Sequence, residues 1–343
     1  MGEELLVVGC GSIGERHLRN LLALGAGPLV ACEVNPERRE QMARTYGVPA
    51  VATLEQGLDR RPRAALICTP PTTHIPLALT ASEAGCHLFI EKPLAPTLGG
   101  VGELCRLCEA RSLVTLVACN MRFHPGVRQL KRWLDDGLAG RVLSAHAQFG
   151  HYLPSWRPPA DYRRVYSASR AAGGGILLDA VHELDYLGWF LGDMAEVACF
   201  EAKVSDLEID AEDTVDLLLR ARSGALVSVH LDYTQRVKRR RCDIVGSEGT
   251  LIWESRGKSP ERCRVERDAP GDQSWDSREE IVDFDAPFRE EMAHFLRCLG
   301  GEEVPLQDLA AGARAVALVE AARRAAHERA TVPVETVPGT FSR

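Results

Sequence analysis

The sequence predicts an α/β protein of two domains, and three observations carry that prediction. The 343 residues exceed what one ordinary hydrophobic core organises. Up to residue 120, strand-like apolar runs alternate with helix-like amphipathic ones, which is typical of a doubly wound parallel sheet with helices on both faces. Beyond it, apolar and polar residues alternate within the runs, which predicts an α+β domain with a large, mostly antiparallel open sheet. We therefore place the domains at 1–120 and 121–343.

Five apolar runs are the predicted strands of the first domain. In chain order they read ELLVV, PLVACE, AALICT, CHLFIE and TLVAC. The helix-like segments between them include IGERHLRNLLALG, PERREQMARTYG and THIPLALTASEAG. Ligands of such sheets bind beyond the carboxyl ends of the strands. The residues that follow each run are therefore the first candidates for a functional site.

The second domain begins with a predicted helix, PGVRQLKRWLDDG, which leads to the strand VLSAHAQFG. Every second residue from Leu143 to Phe149 is apolar, which is the period of a half-buried strand. The runs TVDLLLRA, ALVSVHLDYT, VKRRRCDIVG and GTLIWES repeat this pattern between short turns, which predicts antiparallel hairpins. A long loop occupies 150–175, and helices around 287–300 and 306–328 complete the chain.

Composition and charge argue against a nucleic-acid-binding protein. Hydrophobic residues make up 45% of the chain, charged residues 26%, and the formal net charge is -7. Nonspecific nucleic-acid binding requires an excess of Lys and Arg on one face, so we expect no nucleic-acid partner. The run Lys238–Arg241 does not change this, because its side chains alternate between the two sides of a predicted strand.

The sequence also predicts a cytoplasmic protein without a membrane partner. No segment approaches the roughly 20 apolar residues of a membrane span, and the acidic N-terminus is unlike a secretory signal. The eleven cysteines mostly lie in apolar runs, as reduced thiols do. Only Cys105 and Cys108 have CxxC spacing, without a second pair or a nearby His, so we interpret them as helix-face neighbours and expect no metal site.

A glycine-rich motif follows the first predicted strand. Gly9, Gly11 and Gly14 form a GxGxxG that opens a helix. The first glycine of such a motif permits a tight turn, the second lets a pyrophosphate approach the backbone, and the third lets the helix pack on the strand. Ser12 and Ile13 complete the loop, so the sequence predicts that these five residues bind a dinucleotide.

Glu33 ends the second predicted strand, 19 residues after Gly14. A carboxylate at this position accepts hydrogen bonds from the adenosine ribose hydroxyls and repels an added phosphate. The sequence therefore favours NAD over NADP. NADP stays open because Arg38 and Arg39, one turn later, are alternative phosphate ligands, although we prefer to interpret them as a solvated face of the second helix.

Five motifs carry a resemblance to a known family: GCGSIGERHLRNL, TPPTTH at 69–74, EKPL at 91–94, NMRFHP at 120–125, and GGGILLDAVHELD. In this order, along nearly the whole chain, they resemble the glucose-fructose oxidoreductase and inositol dehydrogenase (Gfo/Idh/MocA) family. The resemblance implies a Rossmann domain followed by a sheet whose outer face commonly forms the dimer contact. We therefore expect an NAD(P)-dependent dehydrogenase that acts on CH-OH groups and forms a homodimer or homotetramer.

The resemblance makes Lys92 the catalytic lysine. A partly desolvated lysine near a cationic nicotinamide ring exchanges a proton near neutral pH. As in family members, we expect a cis peptide before Pro93. The further cofactor contacts that the resemblance implies, beside Lys92 itself, are Thr69, Pro70, His74, Glu91, Asn120 and Arg122. For His74, as for His124 in the same family motifs, a helix cap or a packing role is an equal alternative.

The stretch Gly173–Gly192 is apolar enough for a buried helix, yet it carries four ionisable residues within two turns. On a helical projection one stripe is apolar and another is polar. The apolar stripe is Leu177, Val181, Leu184 and Leu191, and the polar one is Asp179, His182, Glu183 and Tyr186. The pattern predicts a single helix with one core face and one polar, titratable surface.

His182 is the predicted general base. The positive end of the helix dipole disfavours the imidazolium form, and a neutral ring accepts the proton of an alcohol as its hydride leaves. Asp179 precedes His182 by three residues, whereas the family pattern has four, and Leu178 occupies the usual place. Either offset keeps the pair on one helix face, so we predict that Asp179 orients His182 or contacts substrate. Asp185 we interpret as structural.

The loop 150–175 is the predicted substrate-binding segment. Aromatic faces stack on sugars, and guanidinium groups bind carboxylates or phosphates. A dimer-contact role for this loop is an equal alternative. The predicted substrate contacts along the whole chain are Lys92, His124, Tyr152, Trp156, Arg157, Tyr162, Asp179 and His182.

These features predict an NAD-dependent oxidoreductase that transfers a hydride between nicotinamide and a secondary hydroxyl or ketone of a sugar, sugar nucleotide or cyclitol. Two alternatives come from relatives of other function. One is a glycosidase that uses tightly held NAD for a transient oxidation, and the other is a noncatalytic NAD-binding sensor. The presence of both Lys92 and His182 speaks against the sensor.

Overall fold

The structure, a computed structural model, describes four stretches of the chain: 3–156, 160–258, 260–269 and 272–335. The described chain divides into two compact units. The first unit combines 3–120 with Phe288–Val316, and the second combines Met121–Pro287 with 317–335. Each unit contains one sheet.

The first unit alternates strands and helices. Its strands are β1 (Leu5–Val8), β2 (Leu29–Cys32), β3 (Ala50–Val51), β4 (Ala64–Ile67), β5 (His87–Glu91) and β6 (Thr115–Ala118). Its helices up to residue 120 are α1 (Ser12–Ala23), α2 (Pro36–Tyr46), α3 (Leu54–Leu58), α4 (His74–Glu83) and α5 (Val101–Ala110). Cys105 and Cys108 lie on α5, as the sequence predicts.

Local chemistry sets the ends of α2. The side chain of Asn35 accepts a hydrogen bond from the N–H of Arg38, which satisfies one of the free donors of the first turn. Pro36 occupies the first position of the helix, where its missing N–H costs nothing. Gly47 ends the helix in the left-handed region. The chain then returns to the sheet through β3.

All strand pairs of the first sheet are parallel, in the order β3-β2-β1-β4-β5-β6. This confirms the predicted doubly wound sheet. The chain adds strands on one side of β1 and then, from β4, on the other, so β1 and β4 flank the point where ligands bind in such folds. Val8 pairs with Ile67 at the carboxyl ends of these two strands, which brings the loops that follow them together.

The second unit contains a larger sheet. Its strands are β7 (Val142–Gly150), β8 (Met194–Ala202), β9 (Thr214–Ala221), β10 (Leu226–Asp232), β11 (Arg239–Gly246), β12 (Thr250–Arg256), β13 (Glu261–Ala269), β14 (Asp272–Val282) and β15 (Val332–Pro333). The remaining helices of the chain are α6 (Pro125–Asp135), α7 (Ile176–Asp179), α8 (Val181–Leu191), α9 (Ala286–Gly300) and α10 (Leu309–Glu328).

The strand order of the second sheet is β14-β13-β12-β11-β7-β10-β9-β8-β15. Among the described residues β7 and β10 pair in parallel and the other neighbours are antiparallel, which confirms the predicted mostly antiparallel sheet. Buried and exposed residues alternate along β9, so one face of the sheet packs on the core. In β11 and the residue before it, Lys238 and Arg240 are buried, while Arg239 and Arg241 lie on the opposite face.

The sequence assigned 288–316 to the second domain, whereas in the structure these residues pack with the first unit. Phe295 of α9 joins the apolar cluster on one side of the first sheet. Leu309 and Val316 of α10 join the cluster on the other side. The apolar faces of these late helices thus cover a sheet that ended more than 150 residues earlier. None of the helices in the described ranges is long and apolar enough to cross a membrane.

His230 lies on the open face of the second sheet between two carboxylates. Its Nδ1 is 2.7 Å from Asp216, and its Nε2 is 3.4 Å from Asp232. The hydrogen bond to Asp232, together with that to Asp216, outweighs burial and raises the pKa of His230 to about 9. Since the unfolded value is about 6.5, the interaction stabilises the fold fully below that pH and is lost as the pH rises through about 9.

We therefore expect His230→Gln to lower the free energy of unfolding most near pH 6 and least near pH 10. Urea unfolding at intervals between these pH values measures the difference from the wild type. His146→Gln on the neighbouring strand is the control, because its ring contacts the hydroxyl of Ser228 rather than a carboxylate. A His230→Gln difference that stays constant over this range would contradict the assignment.

Candidate functional site

Glycines shape the loop between β1 and α1. Gly9 has a φ of +84°, in the left-handed region that favours glycine. A Cβ added to Gly14 would lie 1.9 Å from the carbonyl oxygen of Gly9, so no larger residue fits where α1 packs on the loop. A Cβ added to Gly11 would meet no atom of the described residues within 4 Å. The loop is therefore closed at Gly14 and open at Gly11, the arrangement that a pyrophosphate requires.

Glu33 lies beside this loop. One carboxylate oxygen accepts a hydrogen bond from the N–H of Cys10 at 2.8 Å, and the other accepts from the N–H of Asn35 at 2.9 Å. These bonds hold the carboxylate at the carboxyl edge of the first sheet, next to the glycine loop. A ligand on the loop would therefore meet a negative charge here, as the sequence predicts for NAD.

Arg38 and Arg39 do not form the solvated face of α2 that we expected. Nε of Arg38 donates to the carbonyl oxygen of Cys10 at 2.7 Å, and its guanidinium also pairs with Glu15 at 2.6 Å. Arg39 donates to the carbonyl oxygen of Glu33 at 2.9 Å. Both side chains are long enough to reach back from the first turn of the helix, so they brace the loop and the end of β2.

His74 joins two loops of the first unit. Its side chain is fully buried, with Nε2 2.8 Å from the carbonyl oxygen of Thr69 and Nδ1 3.0 Å from that of Pro93. Burial lowers the pKa of His74, although both carbonyl oxygens act against this. Both nitrogens face the backbone, so the predicted cofactor contact is replaced by a cross-link between the loops after β4 and β5. Thr69 itself lies against Gly9.

Lys92 follows β5 at the same edge of the sheet. Its backbone N–H donates to a carboxylate oxygen of Glu91 at 3.1 Å, and the peptide bond to Pro93 is cis, as expected. The other oxygen of Glu91 lies 2.6 Å from Nε2 of His17, a fully buried residue of α1. Glu91 thus ties the backbone of Lys92 to the helix that follows the glycine loop, a role that replaces its predicted contact with the cofactor.

Arg122 and His124 also differ from the sequence prediction. Nε and Nη2 of Arg122 donate to the two oxygens of Asp185 at 2.9 and 2.7 Å, both side chains being buried. This bidentate pair replaces the predicted cofactor contact and confirms a structural role for Asp185. Nδ1 of His124 accepts the N–H of Gly126 at the start of α6, and Nε2 lies 3.5 Å from Glu261. His124 is therefore a buried helix cap, not a substrate contact.

The predicted single helix around Asp179 and His182 is broken. Asp179 ends α7, Ala180 departs from helical geometry with φ −95° and ψ 26°, and α8 begins at Val181. The two side chains therefore do not share one helix face. The phenols of Tyr166 and Tyr233 donate instead to the two oxygens of Asp179, at 2.5 and 2.6 Å. His182 lies in the first turn of α8 and is 7% exposed.

The polar stripe of α8 is buried rather than a titratable surface. Every residue from Val181 to Leu187 is buried. Glu183 pairs with Arg240 of β11 at 2.8 Å, and the ring of Tyr186 packs edge-on against Trp253. Burial, with Glu183 nearby, raises the pKa of Tyr186 well above its usual value. The ionisable side chains of α7 and α8 thus mainly contact other buried groups of the second unit.

The loop after β7 is partly structural. Nε1 of Trp156 donates to the carbonyl oxygen of His151 at 2.9 Å, and its ring packs on Tyr233. The hydroxyl of Tyr162 accepts the N–H of Glu208 at 3.2 Å. Arg157, a predicted substrate contact, lies outside the described residues. Tyr152 and Trp156 are half-buried, so the predicted aromatic platforms are accessible in part.

Sequence reasoning missed three residues that the structure makes central. His17 holds Glu91, while Tyr166 and Tyr233 hold Asp179. A histidine one turn after the last glycine of the motif, on the apolar face of α1, was the available signal for His17. The tyrosines gave no local signal of their role, because Tyr166 lies 13 residues and Tyr233 54 residues from Asp179.

Two family models match the chain. Residues 4–119 match the model described as an oxidoreductase family with an NAD-binding Rossmann fold, and residues 127–252 match the model described as the GFO/IDH/MocA C-terminal domain. The matched ranges follow one another and together cover more than half of the chain. The first lies within the parallel sheet unit, and the second runs from α6 into β12.

Individual relatives agree with the family models. Myo-inositol 2-dehydrogenase of Thermotoga maritima is 27% identical over 348 residues, covering 97% of this chain and 99% of the relative. scyllo-Inositol 2-dehydrogenase (NAD(+)) of Bacillus subtilis is 26% identical over 318 residues, covering 88% and 87%. A solved levoglucosan dehydrogenase, in complex with NADH and levoglucosan, has the same fold with a TM-score of 0.83, at 21% identity over 97% and 99% of the two chains. The chain belongs to the Gfo/Idh/MocA family of oxidoreductases, and its first unit is an NAD-binding Rossmann domain.

Proposed function

We propose that this protein is an NAD-dependent dehydrogenase that oxidises a secondary hydroxyl of a sugar, sugar nucleotide or cyclitol and reduces the ketone in the reverse direction. The observation that carries the proposal is Lys92 at the carboxyl edge of the first sheet, with its backbone held through Glu91 and the following Pro93 held through His74. The relatives named as inositol and levoglucosan dehydrogenases support a polyol substrate.

The glycine loop and its surroundings fit a dinucleotide. The space at Gly11 suits a pyrophosphate, and the carboxylate of Glu33 suits the ribose hydroxyls. When bound, NAD supplies the hydride acceptor at C4 of the nicotinamide. The residues that we propose to hold it are Gly9, Gly11, Ser12, Ile13, Gly14, Glu33, Thr69, Pro70, Lys92 and Asn120.

In this proposal His182 accepts the one proton of the substrate hydroxyl as its carbon gives up a hydride, and Lys92, beside the same hydroxyl, assists the transfer. Asp179 serves as a fixed acceptor for a substrate hydroxyl rather than as the residue that orients His182. Burial and the charge of Asp179 raise the pKa of Tyr233 well above its usual value, so this phenol stays a donor to Asp179 across the working pH range. Tyr152 and Trp156 contribute aromatic faces for the sugar ring.

Two glycine variants separate cofactor binding from folding. Gly11→Ala has space in the protein, so we expect an unchanged melting temperature and about tenfold weaker NADH binding if the pyrophosphate lies there. Gly14→Ala would meet the carbonyl oxygen of Gly9, and we expect it to lower the melting temperature as well. Thermal unfolding and NADH fluorescence titration measure both effects. Undiminished NADH affinity in Gly11→Ala would exclude this loop as the pyrophosphate site.

Lys92→Met tests the catalytic assignment. We expect kcat to fall by about a thousandfold, because a proton-transfer group is lost, while the NADH dissociation constant changes by less than about twofold. NADH formation is followed across sugars, cyclitols and nucleotide sugars with NAD and NADP in parallel. Lys203→Met, on an exposed lysine, is the control. Undiminished turnover in Lys92→Met would refute the role of Lys92, and sugar release without NADH accumulation would point to a glycosidase.

We further propose that the open face of the second sheet binds a second copy of this chain, as the family resemblance implies. Phe200, Leu218 and Leu226 lie on adjacent strands of this face and are 83%, 66% and 55% exposed. Apolar side chains clustered on one sheet face are typical of subunit interfaces. The cyclic arrangement commonest among soluble proteins would make this contact two-fold symmetric.

Leu218→Arg tests this interface. A guanidinium placed in the middle of a self-complementary contact lacks a partner, so we expect the mass in solution to fall from that of a dimer or tetramer to that of one chain. Size-exclusion chromatography with light scattering measures the mass. Val304→Arg, at an exposed valine outside this sheet, should keep the wild-type mass. A wild type that already elutes as a single chain would disprove the interface.

The thiols support a reducing location. All eleven cysteines are free, and ten of them are buried. Proteins of oxidising compartments use such residues for disulfides, whereas cytosolic proteins keep them reduced. We therefore infer that the protein works in the cytoplasm.

A further inference from the structure

A strand connection and a loop of the second unit meet beside Asp179. The connection, residues 233–238, joins β10 to β11 on the two sides of β7, and the loop segment 151–156 follows β7. A backbone hydrogen bond of 3.0 Å links them, and the edge of the Trp156 ring packs on Tyr233 with centroids 5.2 Å apart. Since Tyr233 donates to Asp179 at 2.6 Å, both segments lie next to a proposed substrate contact.

Arg236 on this connection stacks on an aromatic ring and has no carboxylate partner in the described part of the chain. Its guanidinium carbon lies 3.7 Å from the centroid of the Tyr152 ring. Stacking fixes the plane of the guanidinium and leaves its N–H donors available for a planar carboxylate or a phosphate. The loop arginines Arg163 and Arg164, in contrast, pair with Asp161.

Three more cations lie nearby, and we call the set Tyr152, Arg236, Lys238, Arg240 and Lys258 the cationic corner. Lys238 pairs with the buried carboxylate of Glu261 at 3.0 Å, and Arg240 pairs with that of Glu183 at 2.8 Å. Lys258 donates to a backbone carbonyl oxygen of the loop at 2.8 Å. Arg236 adds a positive charge that no carboxylate of the described residues pairs with.

His151 lies close to the other three cations of this corner. Its ring stacks on that of Trp156, with centroids 5.6 Å apart. Burial, followed by the charges of Lys238, Lys258 and Arg240, lowers the pKa of His151 to about 4. Burial disfavours a charge of either sign, but the three cations favour an anion at this place as they disfavour a second cation.

A groove of about 450 Å³ runs along the connection 233–238. Four of its lining residues are basic and none of those described is acidic: Gln235, Arg236, Val237, Lys238, Arg239 and Arg256. Arg239 and Arg256 are paired with Glu254 at 2.7 and 3.0 Å, so among the described residues Arg236 is the lining cation without a carboxylate partner. The volume lies within the range of small-molecule sites.

We propose that the cationic corner binds a carboxylate or phosphate group carried by the substrate, so that the enzyme acts on acidic sugars in preference to neutral ones. Arg236 takes the anionic group in a bidentate pair, while Tyr152 holds the plane of the guanidinium. The inference rests on the proposed dehydrogenase function and adds the charge of its substrate.

Arg236→Met tests the anion site. NAD reduction is compared for glucose, glucuronate and glucose 6-phosphate, which differ at C6. We expect Arg236→Met to lower kcat/KM for the preferred acidic sugar about tenfold or more, and to change that for glucose less than about twofold. Arg222→Met, at an exposed arginine in the turn between β9 and β10, is the matched control and should change neither. Equal losses for acidic and neutral sugars, or no loss, would overturn the proposal.

Calorimetry on the NADH-loaded protein separates this inference from the proposed activity. Glucose, glucuronate, glucose 6-phosphate and inorganic phosphate are titrated into the wild type and Arg236→Met. An acidic sugar should bind the wild type about tenfold more tightly than glucose, and the variant should lose that preference. Binding of inorganic phosphate without a preference for acidic sugars would assign the corner to a free anion and overturn the substrate role. A preference without turnover of any sugar would support the site and count against the dehydrogenase.

Discussion

The second unit depends on pairing the charges that α8 buries. Glu183 and Asp185 are at most 4% exposed, and an ionised carboxylate without a partner at such depth costs several kcal/mol. Arg240 of β11 and Arg122 of the segment after β6 supply the partners, at 2.8 and 2.7 Å. Because one partner comes from the sheet and the other from the chain that enters the unit, the two pairs together fix where α8 lies on the sheet.

The position of α8 has consequences for the residues before it. Ala180 interrupts the helix, so α7 carries Asp179 at its own angle, and the carboxylate meets Tyr166 and Tyr233. Asp179 and His182 therefore do not share a helix face, and their three-residue spacing does not disturb one. The first unit solves a similar problem differently. There Glu91, held by His17, fixes a backbone position rather than a side chain.

The architecture was predictable because burial leaves a trace in the sequence. β1 and β4, which are buried along their whole length, are continuous apolar runs, whereas β9, which is buried on one face, alternates apolar and polar residues. The charged strand β13 left no such trace, and the apolar period of α7 and α8 runs through the break at Ala180 without a signal. Local conformation was predictable where a motif fixes it, as in the loop from Gly9 to Gly14. The partners of Arg122 and His124 were not, since Asp185 lies 63 residues from Arg122 and Glu261 is still further from His124.

The occurrence of a titratable residue in a family motif therefore does not by itself show that the residue contacts a ligand. His74, Glu91, Arg122 and His124 all occur in such motifs, and each contacts buried groups of its own unit. A cation that has no carboxylate partner among the described residues is more direct evidence for the proposed charge of the substrate. Arg236 meets that criterion although it belongs to none of the five motifs.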